Sequence, residues 1–281
     1  MKTFAVIVTY RPEISQLQKT IFSLQNQVEK IIVVKNSAEN FGFENEKIQI
    51  VQLEKNMGIA FAQNRGIEKS FELGAQWILL SDQDTIFPEN YVQSFLPFIQ
   101  KKSADVYCPI FFDSVKNIFS PVMIKKFRGI SGVREPVFVQ HAISSGSLIA
   151  RKTFERAGLM DEKLFIDYVD FEWCWRAVSN GMKILTVPSV KINHRLGDGS
   201  KKILKWNVTI RSDARYFYMI RNGFYLSFFC LYLKFSEKII LFFRTIKFCI
   251  GVFLLRHDFS TLKLEASAFF CALNKILGEK K

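Results

Sequence analysis

Apolar and polar positions divide the first hundred residues into short blocks of two kinds. Phe4–Thr9 is a largely apolar run of strand length, and Lys30–Val34, Ile48–Leu53 and Trp77–Ser81 repeat it. Between them apolar residues recur at spacings of three and four. Ile14, Leu17, Ile21, Leu24 and Val28 form one helical stripe, Gly58 to Leu73 reads as a second helix and Asn90–Gln100 as a third. The order β-α-β-β-α-β-α predicts an α/β fold, a mostly parallel sheet flanked by helices, because parallel strands need crossover connections. In such sheets a ligand sits beyond the carboxyl ends of the strands. Residues 104–200 have weaker periodicity and more Pro, Gly and Ser, as expected of shorter strands and loops that complete one site.

From about Ile203 the pattern changes. Residues 203–281 hold thirteen Lys and Arg against five acidic residues, so this stretch carries +8 of the total +13. Phe228-Phe229, Ile239-Ile240, Phe242-Phe243 and Val252–Leu255 alternate with Lys234, Lys238, Arg244, Lys247 and Arg256. The chain therefore divides into residues 1–202 and a C-terminal basic and aromatic helical extension, 203–281. Helices of this kind lie on an anionic membrane surface, the alternative being a subdomain packed on the sheet. No stretch approaches the ~20 apolar residues of a spanning helix. Phe4–Val8 ends at Arg11-Pro12 without a small-residue cleavage site, so it reads as a strand and not as a signal peptide. Five widely spaced cysteines form no Cys-x-x-Cys pair, which fits a reducing cytoplasm. Hydrophobic residues at 49% and charged residues at 23% exclude disordered and disulfide-scaffold classes.

Candidate chemistry gathers at the strand ends. Ser81-Asp82-Gln83-Asp84 follows the fourth strand, and residues i and i+2 of an extended chain point the same way, so both carboxylates can face one cation. Oxygen ligands select Mg²⁺ or Mn²⁺, and Mg²⁺ is commonly held by one or two carboxylates plus substrate phosphates. Thr9-Tyr10-Arg11, Lys35-Asn36-Ser37 and Asn56-Met57-Gly58 lie at the same edge and could cradle a nucleotide. Asp167, Asp170 and Glu172 stand among aromatics that include Trp173. Apolar surroundings raise a carboxyl pKa, so one of them could serve as a general base, with Asp170 and Glu172 separable only by geometry. His194, in a Gly-rich loop, could complete the metal site. Neither a P-loop nor a Gly-x-Gly-x-x-Gly fingerprint occurs, which counts against P-loop hydrolases and ordinary dinucleotide oxidoreductases.

Five blocks occur in order: Val6-Ile7-Val8-Thr9-Tyr10; Asn56-Met57-Gly58-Ile59-Ala60 with Asn64-Arg65-Gly66; Ser81-Asp82-Gln83-Asp84; Ser144-Ser145-Gly146-Ser147; and Asp167–Arg176. Together they resemble family-2 glycosyltransferases of the GT-A (Rossmann-like) fold, most nearly bacterial rhamnosyltransferases. Arg215-Tyr216-Phe217-Tyr218 with Arg221-Asn222 is similar to the tail of that subgroup. The resemblance implies inverting transfer from a nucleotide-sugar donor, dTDP-L-rhamnose, to a hydroxyl of a growing glycan acceptor on a polyprenyl-diphosphate carrier. The enzyme would sit at the cytoplasmic face of an anionic membrane surface. Donor contacts would come from Thr9, Tyr10, Arg11, Asn36, Asn56, Gly58, Asn64 and Asp82. Asp84, Asp82 and His194 would hold Mg²⁺ or Mn²⁺. Asp170 would be the catalytic base, and Ser145, Gly146, Glu172 and Trp173 would contact the sugar or acceptor. The family's strand-two motif has Asp before Asn where this chain has Lys35 before Asn36, so Lys35 is expected to meet a phosphate instead.

Two rival readings differ in chemistry. A metal-dependent nucleotidyltransferase would share the sheet and the carboxylates but needs a Gly-rich basic loop after the first strand, which Arg11-Pro12-Glu13 does not supply. A non-catalytic module binding membrane or nucleic acid would explain +13 but not acidic pairs at strand ends, so no nucleic-acid partner is expected.

Overall fold

Alternation along the first strand decides how the molecule is layered. All seven residues of β1 (Thr3–Thr9) are buried, with Phe4, Val6 and Val8 in one core cluster and Ala5 and Ile7 in another. A strand whose side chains alternate between two cores is covered on both faces. The computed structural model describes residues 1–38, 41–43, 45–113, 118–193, 200–203 and 206–280. After β1 come α1 (Ile14–Leu24), β2 (Lys30–Lys35), β3 (Ile48–Gln52), α2 (Ile59–Glu72), β4 (Trp77–Asp82), α3 (Leu96–Gln100) and β5 (Val106–Asp113). Short strands follow, β6 (Ile118–Phe119), β7 (Val122–Lys125), β8 (Arg128–Ile130), β9 (Val137–Val139) and β10 (Leu148–Ala150). The chain closes with α4 (Arg151–Ala157), α5 (Val169–Ser179), β11 (Ile184–Asn193), β12 (Ser200–Ile203), β13 (Trp206–Thr209), α6 (Asp213–Phe229), α7 (Phe235–Arg256) and α8 (Phe259–Leu273).

The main sheet runs β3-β2-β1-β4-β10-β5-β11-β9, with β6 on β5. β10 is antiparallel to both β4 and β5, and β9 is antiparallel to β11, while the other six strands of this path share one direction. The sheet is therefore mixed and mostly parallel. Inserting β10 backwards brings its amino end, Ser144–Ser147, to the carboxyl end of β4. Leu17, Ile21 and Leu24 of α1 pack on one face of the sheet, and Ala60, Ala62 and Ile67 of α2 join α5 on the other.

The helix expected over 90–100 begins later, as a single 3₁₀ turn at Gln93–Phe95 leading into α3. Asn90 takes a φ of +58° and Pro97 has no N–H, so regular helix cannot start earlier. The stripe through Val28 also outruns its helix. Helix α1 ends at Leu24, and Val28 is buried from the following turn.

The C-terminal helices do more than cover a surface. Arg221 and Asn222 of α6 are 1% and 0% exposed. The Asn222 amide donates to the carbonyls of Leu164, Ile166 and Asp167, each at 2.9 Å. Arg221 donates to Leu164 O at 3.0 Å and to Gly278 O at 2.7 Å. The clamped segment holds three non-glycine residues at positive φ, Phe165 (+65°), Asp167 (+64°) and Tyr168 (+63°), a conformation that persists only where its surroundings impose it. The segments before and after the expected 202/203 boundary therefore share this loop. Asn222→Leu is expected to lower stability by roughly 2–4 kcal/mol, because the Ile166 and Asp167 carbonyls lose their Asn222 donor and the Leu164 carbonyl loses one of several. Urea unfolding checks this, and a loss below about 1 kcal/mol would remove the clamp from consideration.

Candidate active site

Four loops meet at the carboxyl edge of the sheet. After β1 the chain turns at Arg11, with φ +46°, and the Arg11 N–H donates to Ser37 Oγ at 3.2 Å. Gln83, after β4, ties this turn down by accepting from Tyr10 N at 2.8 Å. Tyr10 is 43% exposed and carries the Arg11 guanidinium 5.3 Å from its ring centroid, a flat cationic and aromatic surface at the site edge. Asn36 accepts from Met57 N at 2.7 Å and donates to Asn56 Oδ1 at 3.0 Å, locking the end of β2 to the start of α2.

The acids stand beyond β4. Asp82 is half-buried, and Ser145 Oγ accepts its backbone N–H at 3.0 Å. Burial, together with the negative charges of Asp84 and Asp170, pushes the Asp82 carboxyl up to about 7, against the pull of Arg215 and Ser145. These groups therefore lie within one another's field. Asp84 is exposed, and its carboxylate has no hydrogen bond or ion pair among the described residues. Asp170, in the first turn of α5, accepts the Ser144 N–H at 3.1 Å through Oδ2. Burial near Ala142, Cys174 and Trp173 raises its pKa, and the Ser144 hydrogen bonds act the other way. Asp167 is held by Arg215 of α6 in a two-pronged ion pair, 2.7 and 2.8 Å.

The donor set fits a divalent cation. Two carboxylates stand two residues apart at the end of β4 within each other's field, one of them held up to about 7 by burial and by acidic neighbours whose charge a cation would offset. Among the described residues no three His, Cys, Asp or Glu side chains gather at ligand spacing, so phosphate and water would complete the shell. His194 lies outside the described residues.

Several expected contact residues are engaged elsewhere. Thr9 is fully buried with its hydroxyl on Val34 O at 3.3 Å, and Asn36 is 3% exposed with both amide atoms used. Gly58, at φ +86°, packs so closely that a Cβ would come within 2.6 Å of Phe165 O. That carbonyl also accepts from Ile59 N at 2.7 Å, so the start of α2 is occupied by protein. Asn64 bonds Met160 N and O and Glu162, supporting the 160–167 segment from beneath. Ser145 holds Asp82 and Thr85, and Gly146, at φ +82°, bonds Leu80 and Tyr91 where a Cβ would meet Ile192 at 2.4 Å. Glu172 forms a buried ion pair with Arg176 at 2.8 Å, and Trp173 donates to Gly158 O at 2.9 Å in the core. These eight residues therefore shape the site from behind. Lys35 is 5% exposed, with its ammonium on Phe41 O at 3.2 Å and over the Phe41 ring, not presented at the edge as a phosphate contact requires.

Gln83, Ser144 and Arg215 each stand in one of the sequence blocks named above but were given no role there, and the spacing of Arg215, two from Asp213 and six from Arg221, gave no sign that it faces Asp167.

Residues 5–158 match the family described as Glycosyl transferase family 2. The chain is 37% identical over 238 residues to the dTDP-rhamnosyl transferase RfbF of Shigella flexneri, covering 79% of each protein. It is 23% identical over 210 residues to the uncharacterized glycosyltransferase YwdF of Bacillus subtilis, covering 70% of this chain and 75% of that one. Among solved structures, S. aureus TarS 1–349 in complex with UDP-GlcNAc superposes with a TM-score of 0.61 at 14% identity, over 97% of this chain and 81% of that one. GalNAc-T7 with UDP, GalNAc and Mn²⁺ gives 0.59 at 16% identity, over 87% of this chain and 54% of that one. At such identities the likeness is one of fold.

Proposed function

The chain belongs to glycosyl transferase family 2 and is a glycosyltransferase with a GT-A-like fold, and from that premise we propose that it moves L-rhamnose from dTDP-L-rhamnose, with inversion, to a hydroxyl of a growing cell-surface glycan. The observation that carries the reading is the convergence of Asp82, Asp84 and Asp170 at the carboxyl edge of β4. The 37% identity to a dTDP-rhamnosyl transferase supports the choice of donor.

In this reading Tyr10 and Arg11 offer the nucleotide a stacking surface and a positive charge. Asp82 and Asp84 would hold Mg²⁺ or Mn²⁺, which when bound supplies charge neutralisation to the departing diphosphate. Asp170 takes the acceptor hydroxyl proton on its carboxylate. The freed oxygen forms a bond to the anomeric carbon while the bond from that carbon to the diphosphate oxygen breaks, its electron pair leaving with dTDP. One displacement from the face opposite the leaving group inverts the centre. Ser144 and the Asn222–Leu164 clamp keep Asp170 in place, because a base must stay within hydrogen-bond reach of the proton it removes. A panel of nucleotide-sugars tested by thermal shift checks the donor: dTDP-L-rhamnose with Mg²⁺ should raise the melting temperature more than UDP- or GDP-sugars do. Equal or larger shifts from another donor would overturn the choice of sugar nucleotide.

The tail supports peripheral attachment to a membrane bearing a lipid-linked acceptor. No described helix is long and apolar enough to cross a bilayer. Phe235, Ile239 and Phe243 nonetheless form an exposed stripe four residues apart on α7, and Leu231, Phe259 and Phe270 are exposed nearby in sequence. The charge on offer is smaller than +8, since Arg221 is buried and Arg215 is ion-paired with Asp167, outside the tail. The intact protein is expected to sediment with anionic but not neutral vesicles at low salt and to be released at high salt. Neutralising exposed Lys234, Lys263 and Lys275 to Gln should weaken binding about tenfold or more, at up to ~1 kcal/mol per cation. Indifference to vesicle charge would make the tail a packing subdomain only.

A further inference from the structure

A cavity of about 330 Å³ lies between α5, the β7–β8 ribbon and α6–α7, and none of its lining residues belongs to the carboxyl edge of β1, β2 or β4. Asp167, Tyr168 and Phe171, which line it, flank Asp170 in the chain, while Asp82 senses Asp170 from the donor edge. Asp170 itself lines a smaller neighbouring cavity with Ala142, Ser144 and Cys174, one residue before Phe171 of the larger one. Phe127, Tyr168, Phe171 and Trp175 give the cavity aromatic walls, the surface on which the apolar face of a sugar ring packs.

Its polar groups are unusual in being unanswered. Three lining residues carry a buried nitrogen with no hydrogen-bond partner among the described residues: His141 Nδ1, Trp175 Nε1 and Arg211 Nε. His141 is 9% exposed and Trp175 fully buried, where an unmade hydrogen bond costs most. The charges are also unbalanced. Asp167 is matched by Arg215, and Lys126 by Glu237 at 3.0 Å, whereas Arg211 and Arg244 have no ion pair among the described residues. Arg244 lies over Phe127, 5.3 Å from the ring centroid, and its charge together with burial holds His141 neutral, with its pKa lowered to about 4. Neutral imidazole and indole N–H groups suit sugar hydroxyls, and two unmatched guanidinium groups suit a phosphate, whose oxygens their planar forks bind in pairs.

We infer that this cavity is the acceptor site and that the acceptor carries a phosphate group adjoining the sugar that is glycosylated. This rests on the transferase reading above, so its test is read by binding and not by turnover. α-D-Glucose 1-phosphate, D-glucose and inorganic phosphate, titrated separately into the full chain and followed by NMR, are the probes. The sugar phosphate should bind at least tenfold more tightly than either D-glucose or inorganic phosphate. The double variant Arg211→Gln/Arg244→Gln should lose that tenfold preference, and Arg244→Gln alone, at an exposed position, should lose part of it in a protein that folds. Glucose binding as tightly as its phosphate, or an unchanged affinity in a folded double variant, would overturn the proposal. A short-chain polyprenyl-diphosphate sugar forms a further arm: tighter binding than glucose 1-phosphate assigns the phosphate to a lipid carrier, equal binding to a phosphate within the glycan. Failure of the transferase reading would appear separately, as the absence of stabilisation by any nucleotide-sugar in the wild-type protein.

Discussion

Asp170→Asn is expected to lower the rate of sugar transfer by about 10²–10⁴-fold, the usual contribution of a positioned base, while nucleotide-sugar binding survives. Asparagine keeps the size of the side chain and can still accept the Ser144 N–H bond made at 3.1 Å, so the start of α5 should stay in place. What it cannot do is take the acceptor proton. The same residue sets the pH profile. Burial holds its carboxyl above the ordinary carboxylate range, and only the ionised form is a base. Transfer should therefore fall as pH drops through that raised pKa, and the acid limb should lie above the pH 4 or so of an unperturbed aspartate. Glu172→Gln is the control. Its carboxylate is committed to Arg176 at 2.8 Å, so its loss should act on stability first. A dead Glu172→Gln that is fully folded, beside an active Asp170→Asn, would exchange the two roles.

Asp84→Asn should reduce turnover by about 10²-fold or more, the scale of several kcal/mol that a bound cation contributes to charge stabilisation. The effect should be confined to function. Asp84 is exposed and its carboxylate has no partner among the described residues, so unfolding free energy should move by no more than about 0.5 kcal/mol. Excess chelator should have the same effect on the wild-type enzyme and none on residual activity in the variant. Full activity of the variant, or undiminished wild-type activity in chelator, would remove Asp82 and Asp84 from any metal role.

The first half of the sheet was legible because its strands and helices differ cleanly in period: β1 to β4 lie within a residue of the positions their apolar runs predict. The Asp82–Asp84 pair and Asp170 stood out as acidic residues at a strand end and among aromatics, and the structure puts them within one another's field. Strand β10 was not legible. Three residues, Leu148–Ala150, are too few to show a period, and its reversed direction depends on the sheet it enters. The short polar residues misled in another way. Thr9, Asn36 and Asn64 can bond backbone as readily as ligand, and all three do so here. Glu172 follows from helix geometry: α5 begins at Val169, so the residue two beyond Asp170 is turned some 200° from it, toward Arg176, whereas Trp173, three beyond, stays on the Asp170 side and is taken up by its bond to Gly158 O. Arginines were least legible of all. Arg211, Arg221 and Arg244 look alike in sequence as tail cations. One is buried as a clamp, and the other two line the cavity beside α5.

The most direct test of glycosyl transfer with Asp170 as base is an NMR analysis of the product formed by the intact protein from dTDP-L-rhamnose and a glycan acceptor. The expected result is dTDP released in step with a new glycosidic bond whose anomeric configuration is opposite to that of the donor. A product that retains the donor's configuration would contradict single displacement, and failure to consume dTDP-L-rhamnose or any other nucleotide-sugar would contradict the transfer itself.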